Sequence, residues 1–244
     1  MTTSSIIDKK MNIRIRVLHA IDHLEIAQDF QAKYINVLNE FGLSYETKDK
    51  WWENSGTYMF IAEDSDTGEI GAGMRLDVID SAHNIPMEEA IERFNPEFAN
   101  IIHKYDDTLA EVCAWWTTKK FSERKLPSHL LRTAIAIASK LRLHTLVGFP
   151  HEYTINITNK LGFTKVDYID GLGDHGTFNY PSSPHKKDKY YKSTIVELLD
   201  TTNLPTVPEK EKEFILWLRK NPELSYNYEY KGKVTKLSYD LKIV

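Results

Sequence analysis

The sequence predicts an α/β or α+β fold, a mixed sheet with helices on its faces. Three observations carry this. Short runs rich in β-branched and aromatic residues alternate with segments of helical period. "TYMFIAEDSDTGEIGAGMRLDV" holds two such runs around Asp66-Thr67-Gly68, which is hairpin turn chemistry. After that hairpin the order is strand, helix, strand, helix, strand, strand, the pattern of a layered sheet-and-helix domain.

The elements follow in order. Residues 1–12 read as a flexible polar tail. "LEIAQDFQAKYINVLNEFGL" spaces Leu24, Ile26, Ala27, Phe30, Tyr34, Val37, Leu38 and Phe41 at helical intervals, and Gly42 stops the helix. Strands are expected at Thr57–Ala62 and about Ile70–Val78. In "PMEEAIERF", Pro86 and two glutamates mark a helix start. A strand at 109–117 leads through a basic loop to a helix at about Pro127–Leu141. "LHTLVGF" is a short buried strand, and "HEYTINITNKLGF" a helix closed by Gly162. "TKVDYID" and "KSTIVELLD" are strands flanking a polar loop at 170–190. A helix after Pro208 and a hairpin around Lys231-Gly232 complete the chain. The expected organisation is a tail at 1–12, a domain at 13–200 and a packed helix-hairpin extension at 201–244.

Composition sets the bounds. The 244 residues suffice for one large domain with a sizeable core. A formal net charge of -4 argues against nucleic-acid binding. One cysteine, Cys113, excludes an internal disulfide framework and fits a reducing compartment. No apolar run reaches the roughly 18 residues of a membrane span. The first residues lack the apolar block of a signal peptide. The expectation is a cytoplasmic protein, and no residue spacing points to a metal.

The chemistry concentrates in "AEVCAWWTTKKFSERKLPSHLL", residues 110–131. Alternation puts Glu111, Cys113 and Trp115 on one face of the strand and Val112, Ala114 and Trp116 on the other. A carboxylate in so apolar a strand has a raised pKa unless it is paired, and a poised carboxylate suits a general base. The plainer reading is a salt-bridged strand glutamate. Lys119, Lys120, Arg124 and Lys125 then precede Pro127, Ser128 and His129 at a helix start. Helix N-termini with nearby cations attract anions. The plainer reading is a solvated basic loop.

Taken together, residues 14–199 resemble the GNAT acyltransferase superfamily. Its "G…G…RL" strand is similar to "GEIGAGMRLDV", its base-bearing strand and pyrophosphate loop to the 110–131 stretch, and its closing helix to "HEYTINITNKLGF". The acyl-homoserine-lactone synthase and N-acyl amino acid synthase branch is the more similar, through "YETKDKWWENSGTYMFIAED", Arg75-Leu76, "NIPMEEAIERF" and Glu111. Three departures stand out. The loop lacks the family's glycines, with Lys125 and Pro127 in their places. Thr158 stands at the family's tyrosine acid, and Ala114 at the branch's arginine.

The resemblance implies a mixed, mostly antiparallel sheet with a V-shaped opening between parallel strands at 109–117 and 144–149. It implies an N-acyltransferase that moves an acyl group from acyl-CoA or a phosphopantetheine-linked acyl carrier protein to an amine. Glu111 is the expected base. Backbone N–H groups at Trp115, Trp116 and Thr117 are expected at the thioester, and Arg124, Lys125, Ser128 and His129 at phosphate. Arg75, Trp51, Trp52 and His151 are the expected acceptor or acyl contacts. An acidic carrier protein would dock on Lys119, Lys120, Arg124 and Lys125. The alternatives are acetyl transfer from acetyl-CoA, and an inactive GNAT-fold module that binds a partner through residues 225–244.

Overall fold

The computed structural model describes residues 10–42, 50–79, 83–92, 95–103, 108–152, 154–166, 177–181 and 190–243. The chain runs β1 (Met11–His19), α1 (Leu24–Glu40), β2 (Thr57–Asp64), β3 (Ile70–Val78), α2 (Pro86–Glu92), α3 (Phe98–Ile102), β4 (Leu109–Thr117), α4 (Leu126–Ala138) and β5 (Thr145–Gly148). It continues through α5 (Ile155–Lys160), β6 (Thr164–Lys165), β7 (Thr177–Pro181), β8 (Tyr190–Thr194), β9 (Val196–Leu198), α6 (Glu209–Lys220), β10 (Glu223–Tyr230) and β11 (Lys233–Asp240). Nine strands form one sheet in the order β10-β11-β1-β2-β3-β4-β5-β9-β6, and β7 pairs with β8 separately. Among the described residues no helix is long and apolar enough to cross a membrane.

The first strand corrects the expected tail. Residues 1–9 lie outside the described residues, but Met11 and Asn12 open β1. In "MNIRIRV" Ile13, Ile15 and Val17 are buried and alternate with Arg14 and Arg16, a half-buried strand written at period 2. The expected strand "TKVDYID" is described only as Thr164–Lys165 of β6, and residues 167–170 lie outside the description. The loop expected at 170–190 contains β7 and the start of β8, and the rest of it is likewise outside. The C-terminal hairpin extends the main sheet, with β11 parallel to β1 from Met11↔Thr235 to Arg16↔Asp240.

Both faces of the sheet are packed. On one, α4 and α6 bury Leu130, Leu131, Ala134, Ile135, Ile215 and Leu218 against Ile13, Phe60, Met74 and Leu237. On the other, α1 buries Phe30 against Met59, Ile61, Trp51 and Trp116. Full burial of each such large side chain stabilises by about 1.5–3 kcal/mol. The central strand β3 carries no large side chain at two positions. A Cβ on Gly71 would lie 2.0 Å from the Phe121 ring, and one on Gly73 would lie 2.4 Å from the Phe30 ring and 2.6 Å from the Trp116 indole. These glycines admit aromatic rings directly onto the backbone.

One irregularity shapes the site. In the β3–β4 ladder Arg75 faces Cys113 but Gly73 faces Trp116, so β4 carries an extra residue opposite Met74. Ala114 takes it up at a left-handed φ of 49°. This is a β-bulge, which bends its strand and re-aims the side chains beyond it. The alternation expected from sequence therefore breaks. Trp116 joins Phe30 and Trp51 on the α1 side, and Trp115 packs against the core under α4.

Candidate active site

β4 and β5 run parallel and pair from Leu109↔Thr145 to Val112↔Gly148. The described pairing stops there. Beyond it β4 bulges at Ala114, while β5 ends at Gly148 and runs into Phe149 and Pro150, and proline cannot donate to a ladder. Between the diverging chains lies a cleft of about 140 Å³, close to the ~150 Å³ cavity that accepts a benzene ring. Glu111, Cys113 and Trp115 line it from β4, Phe149, His151 and Thr158 from the β5 side, and Tyr34 and Leu38 from α1.

Glu111 sits at the closed end of this cleft and is 3% exposed. Its Oε2 accepts the backbone N–H of Met87 in α2 at 2.7 Å. Burial pushes its pKa up to about 8. Nearby Asp77 and Glu88 push the same way, and the Met87 hydrogen bond and Arg75 partly oppose them. Helix α2 is fixed by its own glutamate: Glu88 Oε2 accepts the N–H of Ile85 at 2.6 Å, and its Oε1 pairs with His103 Nε2 at 2.7 Å. The helix found from Pro86 thus brings a backbone donor to a strand carboxylate.

Asp77 stands opposite Glu111 in the β3–β4 ladder and is buried. It accepts hydrogen bonds from Thr57 Oγ1 and Arg75 Nε, each at 2.8 Å, and from Cys113 Sγ at 3.3 Å. Sequence reasoning missed Asp77. Its signal was the one used for Glu111, a carboxylate inside an apolar strand, two residues beyond Arg75 in "MRLDV". Arg75 is buried, ion-paired with Asp77 and stacked over Trp51 at 4.6 Å. Burial, with the Asp77 carboxylate next, holds the Cys113 thiol well above its ordinary pKa. Burial also lowers the pKa of His151, whose Nδ1 lies 2.5 Å from Ser193 Oγ.

The tryptophans separate. Trp115 lines the cleft, and its indole N–H is buried without a hydrogen-bond partner among the described residues. Trp116 and Trp51 pack edge-on against Phe30, and Trp52 packs edge-on against Trp51. None of these three lines the cleft. Thr117 ends β4 opposite Ala72.

The loop differs from expectation. Arg124 and His129, expected at phosphate, are 3% and 2% exposed and turn toward the C-terminal hairpin. Arg124 Nη1 donates to Thr235 Oγ1 at 2.7 Å. His129 Nδ1 lies 2.9 Å from the Tyr239 hydroxyl, and its ring meets Tyr228 edge-on. Burial lowers the His129 pKa to about 3, so the ring is neutral. The same burial removes Arg124 from any carrier-docking surface. Part of the backbone is committed as well: Pro127 has no N–H, and the N–H groups of Ser128 and His129 both donate to the Lys125 carbonyl, at 3.0 and 3.2 Å. Lys119, Lys120 and Lys125 are exposed. Lys119 lies 3.3 Å from Glu40, Lys120 pairs with Glu69, and Lys125 sits 4.2 Å over the Tyr230 ring.

The sequence matches no protein-family model and no curated protein. Solved structures do match. FeeM, an N-acyl amino acid synthase from uncultured soil microbes, superposes with a TM-score of 0.62 at 12% identity, over 83% of this chain and 100% of that one. MesI, a CoA-dependent acyl-homoserine lactone synthase, superposes with a TM-score of 0.55 at 13% identity, over 83% and 95%. A mosquito arylalkylamine N-acetyltransferase-like protein reaches 0.50 at 15% identity, over 77% and 99%. The protein has the GNAT fold. In GNAT terms the β4–β5 opening is the V, and Glu111 is the carboxylate at its closed end. Thr158 is buried and donates to the Ile155 carbonyl at 2.8 Å.

Proposed function

We propose that the protein is an N-acyltransferase that moves an acyl group from a pantetheine thioester to a primary amine, with Glu111 as the general base. The observation that carries this reading is the opening between β4 and β5, with a buried carboxylate of raised pKa at its closed end. The pantetheine arm enters the opening along β4, where residues 113–117 have turned away from β5. The amine nitrogen attacks the thioester carbonyl carbon, and the charge that forms on the carbonyl oxygen is met by backbone N–H groups of Trp115–Thr117. Glu111 takes the amine proton, directly or through water. The C–S bond then breaks to leave an amide and a free thiol.

The start of α4 bears on the donor. With Pro127 lacking a donor and the next two N–H groups bonded to Lys125, it offers a nucleotide diphosphate fewer backbone donors than an open helix start would. That favours a donor that ends in one phosphate, on an acyl carrier protein, with Lys119, Lys120 and Lys125 as its contacts. The cleft volume favours a second reading, transfer of a short acyl group such as acetyl from its CoA thioester.

The test is incubation of the purified protein with acetyl-CoA, a long-chain acyl-CoA and an acylated carrier protein in the presence of a panel of amines, with mass detection of amides. One donor should be consumed, and Glu111→Gln should lower that turnover about 100-fold or more without lowering the unfolding midpoint. If no thioester is consumed and none stabilises the fold, the proposal fails and the protein is a binding module. Full activity in Glu111→Gln removes Glu111 from the mechanism.

A further inference from the structure

On the acyltransferase reading, we propose that His151 is a second catalytic residue, which carries a proton from the incoming amine to the leaving sulfur. The cleft has two main walls. β4 supplies one, with Glu111, Cys113 and Trp115, and the chain that follows β5 supplies the other, with His151, Thr154 and Thr158. Glu111 pairs with Val147 where the strands still meet, and His151 lies beyond Gly148, past the point where they part. The base on one arm of the opening thus has a titratable ring on the other arm.

Among the described side chains of that second wall, the other protons are committed. Thr154 Oγ1 donates to the His151 carbonyl at 3.1 Å, and Thr158 Oγ1 donates to the Ile155 carbonyl at 2.8 Å. A threonine has one O–H to give. On the first wall the Cys113 thiol donates to Asp77 at 3.3 Å. The imidazole is held in place. Its Nδ1 lies 2.5 Å from Oγ of Ser193, which is fully buried. The His151 backbone bridges to Ser193 of β8, and its carbonyl accepts the N–H groups of Thr154 and Ile155 at 2.8 and 2.9 Å. A proton-transfer group oriented by a third group is the arrangement such chemistry needs. With Nδ1–H donated to Ser193 Oγ, the lone pair sits on Nε2, and Nε2 is the nitrogen that a substrate in the cleft meets.

The protons balance. The acceptor arrives as an ammonium ion. Nε2 accepts one of its protons, and the freed lone pair attacks the thioester carbonyl carbon. Glu111 takes a second proton from the tetrahedral intermediate, and the last stays on the amide. As the C–S bond breaks, its electron pair passes to sulfur, which takes the proton from Nε2 and leaves as a thiol. Glu111 then returns its proton to water. Burial lowers the His151 pKa, so the ring is neutral near pH 7, and its imidazolium is a stronger acid than an alkyl thiol of pKa about 8.5. The other titratable groups lining the cleft are Glu111 and Cys113 of β4 and Tyr34 of α1, while Thr154, Thr158 and Ser193 carry no charge. Glu152 and Lys192, the charged neighbours of His151 and Ser193, are exposed.

The acidity of the leaving group tests the relay. The alkyl thioester that the wild type consumes needs its sulfur protonated, and a nitrothiophenyl ester of the same acyl group does not, because an aryl thiolate leaves without a proton. His151→Gln should lower kcat on the alkyl thioester about 100-fold, and should raise the ratio of aryl to alkyl rates about tenfold or more. Ser193→Ala, which releases the ring from its orientation, should move that ratio in the same direction. Glu111→Gln should slow both esters alike. A ratio that stays put in both His151→Gln and Ser193→Ala, in an enzyme that Glu111→Gln still inactivates, overturns the relay and leaves the acyltransferase reading standing. A ratio that moves in Tyr34→Phe and not in His151→Gln overturns it in favour of the tyrosine. A wild type that consumes no thioester overturns both.

Discussion

The carboxylate of Glu111 accepts the backbone N–H of Met87 at 2.7 Å, so the position of the candidate base is held by the helix inserted between β3 and β4. A fixed backbone donor orients the carboxylate while burial keeps it protonated near neutrality. On the proposed mechanism Glu111 therefore becomes a base only as pH rises.

For a base whose pKa burial raises to about 8, kcat/KM should climb from pH 6 to 9 with an inflection near 8. Stability runs the other way. The folded-state pKa lies above the unfolded one, so the contribution of Glu111 is fully present below about pH 4.5 and falls as pH rises toward 8. Glu111→Gln should thus be no less stable than the wild type at pH 5, and should gain on it as pH rises to 8. Urea titrations at the two pH values measure the gap, and a gap that stays constant refutes the assignment of the pKa.

Asp77 pairs with Arg75 and raises the Glu111 pKa. Asp77→Asn removes a like charge from Glu111 and releases the Arg75 cation beside it, and both effects lower the Glu111 pKa. The inflection in kcat/KM should move below 8. Breaking the buried Asp77–Arg75 pair should cost about 3–5 kcal/mol of stability. An unmoved inflection would show that Asp77 acts on the fold alone.

Arg124 and His129 bind the hairpin, so their loss should be read in stability and not in donor affinity. Arg124→Met should lower stability by about 1–3 kcal/mol and leave the donor KM within twofold. His129 has its folded pKa depressed to about 3, so its stability contribution is present above about pH 6.5 and lost as pH falls toward 3. Below pH 6.5 wild-type stability should fall more steeply than that of His129→Gln. A donor KM raised tenfold by Arg124→Met would return that arginine to the phosphate.

The parts of this protein legible in its sequence are those set by local pattern. Helical spacing gave α1, turn chemistry gave the β2–β3 hairpin, Pro86 gave α2, and Gly162, at φ 86° with the Val207 Cα only 2.7 Å from where a Cβ would stand, closed α5. Glu111 was legible because a carboxylate inside an apolar strand violates the strand's own pattern. β1 is equally legible in "MNIRIRV", although the expected tail at 1–12 takes in its first two residues, Met11 and Asn12. Period-2 reasoning failed within β4, because a bulge is set by the neighbouring strand and leaves no mark in the alternation it interrupts.

The sequence by itself determined the order of elements, the buried carboxylate and the basic, glycine-free loop. Only the tertiary structure decided which cations of that loop face water. Arg124 and His129 sit within the same few residues as Lys125, but a strand more than one hundred residues later, β11, comes parallel to β1 and covers them. A charged side chain so covered must find a partner or lose its charge, and Arg124 found Thr235 while His129 lost its proton. That outcome depends on which distant strand completes the sheet, and no local pattern encodes it.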